Sequence, residues 1–166
     1  MPDIDAAEFD EFYLRSRDRL AVHVAALTGD AAEAVDHVQE AFVRAWSRWT
    51  YVGGLDDPEG WVRRVAHNLA VSRWRRARRL VLGPPADTDS AVEWTDEQRP
   101  VFDALRALPR AHREAIVLHH LVGLSVAEVA TELNVPGGTV KSWLSRGRTQ
   151  LAAALATSPQ PEEVTP

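Results

Sequence analysis

Apolar residues recur at three- and four-residue steps along almost the whole sequence, and nowhere do they alternate with period two between hairpin turns. That spacing confines the chain to an all-α fold. Phe9, Phe12, Tyr13, Leu20, Val24 and Leu27 mark a first helix, which Thr28-Gly29 interrupts, and Asp30 is placed to cap the next. The second helix carries Ala34, Val38, Ala41, Phe42, Ala45 and Trp49 on one face and is predicted to run on to Gly53-Gly54. After a loop through Asp56-Asp57-Pro58, a third helix over residues 59–79 turns Val62, Val65, Ala66 and Leu69 inward and spreads its arginines over the remaining surface. Gly83-Pro84-Pro85 stops it, and an acidic polar stretch leads to Pro100. Two small helical domains are expected, over residues 1–82 and 100–156, joined by a flexible linker over 83–99, with a disordered tail over 157–166.

The second domain holds the most specific local pattern. In LSVAEVATELNVPGGTVKSWLSRGRTQL, Ser125 and Glu128 stand at capping-box spacing and open a helix that buries Val126, Val129, Ala130 and Leu133. Asn134 sits where the turn needs a left-handed residue, and Val135 can fill the gap between helices. Pro136 suits a helix start, and the new helix turns Val140, Trp143 or Leu144, and Leu151 inward. This is a helix-turn-helix. Its second helix presents Thr139, Lys141, Ser142, Ser145, Arg146 and Arg148 and carries no acid, the composition of a helix that meets phosphates and base edges.

Charge is segregated. Positions 1 to 60 hold five basic and 13 acidic residues, whereas 61 to 86 hold seven arginines and no acid. With a net charge of -5, the chain is expected to bind free DNA poorly, because phosphate neutralisation supplies most non-specific affinity. The segregation suits an acidic face for a basic protein and basic patches for nucleic acid, used together. In GWVRRVAHNLAVSRWRRARR, arginines 63, 64, 73, 75, 76, 78 and 79 interleave with Trp61 and Trp74, a mixture suited to an opening strand. Trp61 reads as core and Trp74 as the nucleic-acid candidate, while Trp46 and Trp49 read as packing residues.

Other chemistries find little support. There is no cysteine, hence no disulfide or thiolate metal site, and a reducing compartment is the natural setting. The acidic N-terminus is unlike a secretory signal and no apolar run reaches the roughly 20 residues of a membrane span, so a cytoplasmic protein is expected, with no membrane, cofactor or small-molecule substrate. His112, His119 and His120 lack the acids and nucleophile of an enzyme, and on an α-helix the adjacent pair would point about 100 degrees apart.

With these motifs placed, the chain resembles the extracytoplasmic-function (ECF) RNA polymerase sigma factors over residues 9–155, and within them the short actinobacterial subgroup named after SigE. LTGDAAEAVDHVQEAFVRAWSRW is similar to their core-polymerase-binding region 2, GWVRRVAHNLAVSRWRRARR to their -10 recognition helix, and LPRAHREAIVLHHLVGLSVAEVATELNVPGGTVKSWLSRGR to their region 4. The resemblance implies core RNA polymerase and promoter DNA as partners and admits an anti-sigma protein. It assigns polymerase docking to Asp36, Gln39 and Glu40, and capture of a flipped base to the loop over residues 51–59. Contacts to the -10 strand fall to Arg64, Asn68, Arg73, Trp74, Arg75 and Arg76, and -35 reading to the polar face from Thr139 to Arg148. The acidic linker would thread the polymerase channel. Val35, His37 and Trp143 depart from the family's usual residue types, and Gly147 stands where Ala is commoner, at an expected cost to its helix of about 0.5 to 1 kcal/mol. The alternative is a stand-alone helix-turn-helix regulator, which leaves the acidic helix and the arginine run unexplained.

Overall fold

The computed structural model describes the backbone of residues 2–79 and 92–157 and the side chains of 5–76 and 92–157. Most of the acidic linker and the C-terminal tail therefore lie outside the described residues, as do the side chains of Arg78 and Arg79. No strand occurs among the described residues. The chain divides into two compact units, Met1–Glu93 and Trp94–Pro166.

In the first unit, α1 (Pro2–Thr28), α2 (Ala31–Ser47) and α4 (Pro58–Arg79) pack on one another, with the single turn α3 (Trp49–Val52) between α2 and α4. Gly29 takes a φ of 73°, and Asp30 Oδ1 then accepts the backbone N–H of Glu33 at 3.0 Å, so α2 begins where the capping residue predicts. Phe12, Leu20, Val24 and Leu27 of α1 meet Ala34, Val38, Ala41 and Phe42 of α2 and Val62 and Ala66 of α4 in a shared core. Ser16 is buried among them because its hydroxyl donates to Phe12 O at 2.6 Å.

Two expectations for this unit need correction. The second helix does not run through to Gly53. It breaks at Arg48, whose backbone leaves the helical region (φ -128°, ψ 26°), and restarts as α3, a turn that keeps Trp49 in the core while leaving Trp46 48% exposed. Trp46 instead lies against Phe9, with ring centroids 5.0 Å apart. Nor do the arginines of α4 share one solvated surface, because Arg63 follows Val62 into the interior and is only 4% exposed. At the far end of the unit Val92 is buried and helps line a cleft of about 470 Å³ with Arg17, Val35, Val38 and Gln39.

The second unit starts before Pro100. Trp94 stacks on Phe102 at 4.4 Å, and Thr95 and Gln98 exchange side-chain and backbone hydrogen bonds at 3.2 Å, which starts α5 (Gln98–Arg106). Then come α6 (Arg110–Ile116), a π-helical turn (Val117–Leu121), α7 (Val126–Leu133) and α8 (Gly137–Thr157). In the π turn the Val122 N–H reaches back five residues to Val117 O at 3.0 Å. Ala115, Ile116, Val117 and Leu118 are buried, while Leu121 at the end of the turn is 47% exposed.

Gly147 has a packing role beside its expected helix-propensity cost. It is buried where α8 crosses α6, and a Cβ there would stand 2.8 Å from Ile116 Cγ1. The missing methyl lets the two helices approach, a packing gain set against the helix-propensity cost.

Candidate nucleic-acid interface

The helix-turn-helix forms as its residues dictate. Ser125 Oγ accepts the Glu128 N–H at 3.1 Å while Glu128 Oε2 accepts the Ser125 N–H at 2.7 Å, which closes the capping box. Asn134 ends α7 in the left-handed region (φ 55°, ψ 51°), and the Val135 N–H turns back to Ala130 O at 3.0 Å. From Gly137 the chain is helical again, and Val140, Leu144 and Gly147 face the core; of the two residues left open for the inward position, Leu144 is buried and Trp143 half-buried.

Burying that stripe fixes what α8 shows to solvent. Lys141, Ser145 and Arg148 follow one another at four- and three-residue steps, and Thr139, Ser142 and Arg146 form the row beside them. Lys141, Ser145, Arg146 and Arg148 are exposed, Thr139 and Ser142 half-buried. Three cations and three hydroxyls thus share one face of a rigid helix.

The first unit divides its surface by charge. On α2, Asp36, Gln39 and Glu40 are all exposed and lie within one turn of each other, with exposed Val43 next along the same face. Gln39 Nε2 donates to the Tyr13 hydroxyl at 2.9 Å, which with Arg17 above the Tyr13 ring lowers that phenol's pKa. Glu40 accepts from Arg44 Nε at 3.1 Å. On α4, Arg64, Asn68, Arg73, Trp74, Arg75 and Arg76 are exposed, Trp74 to 47%. Trp61 is half-buried and faces neither extreme. Arg73 bridges the two surfaces: its Nη2 lies 3.0 Å from Glu33 Oε1 of α2.

The loop between α3 and α4 is stiffened from both ends. The Gly53 N–H donates to Trp49 O at 2.7 Å, and a Cβ on Gly53 would strike the Trp49 ring at 2.9 Å. At the other end Asp57 Oδ1 accepts the Gly60 N–H at 2.9 Å, and Glu59 receives both Nε, at 3.1 Å, and Nη2 of Arg19 from α1. Tyr51, 63% exposed, opens beside this loop onto a shallow cleft of about 340 Å³ lined with Asp5, Trp46, Arg48 and Thr50.

The three histidines of the second unit each have a hydrogen-bond partner. His112 Nδ1 meets Gln150 Oε1 at 2.7 Å, His119 Nδ1 meets Leu124 O at 2.7 Å, and His120 Nε2 accepts Arg148 Nε–H at 3.1 Å. Because His119 and His120 lie in the π turn, their angular offset is not that of an α-helix. Among the described residues no group of histidines and acids could hold a metal ion, and no helix is long and apolar enough to cross a membrane.

Residues 12–80 match sigma-70 region 2, and residues 98–151 match sigma-70 region 4. Over 127 residues the chain is 38% identical to the ECF RNA polymerase sigma factor SigL of Mycobacterium tuberculosis, covering 71% of this chain and 72% of that protein. The chain belongs to the ECF RNA polymerase sigma factors. It is also 32% identical over 158 residues to the RNA polymerase sigma-E factor of Streptomyces antibioticus, covering 92% of this chain and 87% of the relative. Among solved structures, the sigma factor RpoE of Bartonella quintana, in complex with the anti-sigma factor NepR, superposes with a TM-score of 0.69 at 25% identity, covering 91% of this chain and 98% of that one. CnrH, in complex with the cytosolic domain of CnrY, gives 0.58 at 29% identity, covering 90% and 89%. As an ECF sigma factor the chain binds core RNA polymerase and promoter DNA and catalyses no reaction. The reading as a stand-alone regulator is not favoured, since residues 12–80 of the first unit match region 2.

Two contacts at these surfaces escaped the sequence reading. The partners Arg19 and Glu59 are 40 residues apart, and His120 and Arg148 are 28 apart, so no local pattern pairs them.

Proposed function

We propose that six polar residues of α8, Thr139, Lys141, Ser142, Ser145, Arg146 and Arg148, read the -35 duplex, while exposed residues of α4 hold the opened -10 strand. Arg64, Arg73, Arg75 and Arg76 neutralise phosphates there, Asn68 offers hydrogen bonds, and Trp74 gives a base a surface to stack on. The segment over residues 51–59, which runs from the end of α3 through the connecting loop into the start of α4, captures a flipped base with the cleft beside Tyr51. Asp36, Gln39 and Glu40 dock on a basic surface of the polymerase. In this assignment the first unit acts as region 2 and the second, which begins at Trp94 rather than at residue 100, acts as region 4. The protein works in the cytoplasm, where polymerase and chromosome are, and an anti-sigma protein is a fitting regulator, given that RpoE of Bartonella quintana is found in complex with the anti-sigma factor NepR.

The observation that carries this reading is the acid-free exposed face of α8, fixed outward by the burial of Val140, Leu144 and Gly147. Run-off transcription with core enzyme and a randomised promoter library tests it. Lys141→Ala and Arg146→Ala are expected to lose -35-dependent output yet still bind core enzyme, whereas Asp36→Arg with Glu40→Arg loses core binding. Unchanged promoter choice in both α8 variants would remove the -35 assignment.

A further inference from the structure

We propose that His120 is a positioning residue for promoter reading: as a neutral hydrogen-bond acceptor it fixes the guanidinium of Arg148 against the π-helical turn and aims its remaining N–H donors at the -35 duplex. This rests on the assignment of Arg148 to the -35 contact.

Three features of the second unit support it. First, the bond has a defined sense. Arginine has donors only, so at 3.1 Å from Arg148 Nε the His120 Nε2 must be the unprotonated nitrogen, with the ring's hydrogen on Nδ1. Second, His120 is itself held in place. His119 is tied through Nδ1 to Leu124 O at 2.7 Å, and its ring meets that of His120 edge-on at 4.8 Å. Both imidazoles belong to the π turn, and His120 is the one that reaches α8, through Arg148. Third, partial burial, His119 and Arg148 together lower the His120 pKa below its ordinary 6.5, a shift in the direction of the neutral ring that the bond requires.

Arg148 is exposed and continues the row of Lys141 and Ser145. Left alone, a long arginine side chain at such a site samples many rotamers, and each must be given up on binding. Committing Nε to His120 restricts those rotamers beforehand and keeps both terminal nitrogens available for a bidentate contact. His120 acts through Arg148 and need not touch DNA.

The test is a double-mutant cycle on the holoenzyme, reading affinity and base preference on a -35 duplex library. Arg148→Ala is expected to lower affinity and flatten preference at the base step it contacts. His120→Ala should lower affinity by about threefold and flatten preference at that same step, with no further loss in the Arg148→Ala background. His120→Gln, whose Oε1 reaches to about where Nε2 lies, should restore both. If His120→Ala leaves preference unchanged, or its loss adds in full to that of Arg148→Ala, His120 is not a positioning residue. If Arg148→Ala changes nothing, the assignment of Arg148 to DNA falls, and this inference with it.

Discussion

Gly147 of α8 and Ile116 of α6 are in contact so close that a Cβ on the glycine would stand 2.8 Å from Ile116 Cγ1 and 3.4 Å from His112 O. Ile116 is buried and has little room to move away. Helix propensity alone favours Gly147→Ala by about 0.5 to 1 kcal/mol, but overpacking a core of this kind costs about 1 to 3 kcal/mol. The variant is therefore expected to be less stable in urea denaturation, and Ile116→Ala should cost less in its background than in the parent. Gly138 lies in the same helix with nothing within 4 Å of its Cβ position, so Gly138→Ala should raise stability.

The Arg19–Glu59 pair ties α1 to the first turn of α4, but Arg19 is half exposed, and such pairs contribute about 0 to 1 kcal/mol. Glu59→Gln should thus change the melting midpoint of the protein little. Exchanging the charges with Arg19→Glu and Glu59→Arg should lower the midpoint more than Glu59→Gln does, because a cation then sits at the N-terminus of α4, where the helix dipole favours an anion. A midpoint at or above that of Glu59→Gln in thermal melts would contradict this ordering.

His23 of α1 gives the first unit a pH dependence. Burial, then Arg63 and Arg19, lower its pKa from 6.5 to about 4, and its Nδ1 has no hydrogen-bond partner among the described residues. Between those two values the unfolded chain binds a proton that the folded chain refuses, so stability falls as the pH is lowered through 6.5 toward 4 and is unaffected by this group above 6.5. Urea midpoints measured across that range should fall less steeply for His23→Gln.

Asn134 holds a left-handed conformation that most side chains resist at a cost of about 1 to 2 kcal/mol. Asn134→Gly is expected to be neutral or slightly stabilising, whereas Asn134→Val should destabilise by about that amount. Chemical denaturation of the full chain distinguishes the two.

Much of this was legible in order along the chain because it depends on neighbours in sequence. Asp30 capping α2, the Ser125–Glu128 box, the left-handed Asn134 and the outward face of α8 are all decided within a few residues. The break at Arg48 was not, because Ala45 and Trp49 share one helical face and both are buried; only packing against α1, where Phe9 and Phe12 meet Trp49, requires the chain to restart there. Arg63 was misplaced for a similar reason, since composition counts seven arginines alike and cannot say which one the α1–α4 contact encloses.

Taken by itself, then, the sequence determined the all-α class, the capped helix-turn-helix and the separation of acidic from basic surface, all of which follow from helical periodicity, local hydrogen bonds and the order of charges. Tertiary structure decided which of those residues meet: Arg73 with Glu33, Arg19 with Glu59, Arg148 with His120, Gly147 with Ile116. Each of these contacts joins elements far apart in the chain, and their distances are set by how closely the helices pack, a quantity no local pattern encodes.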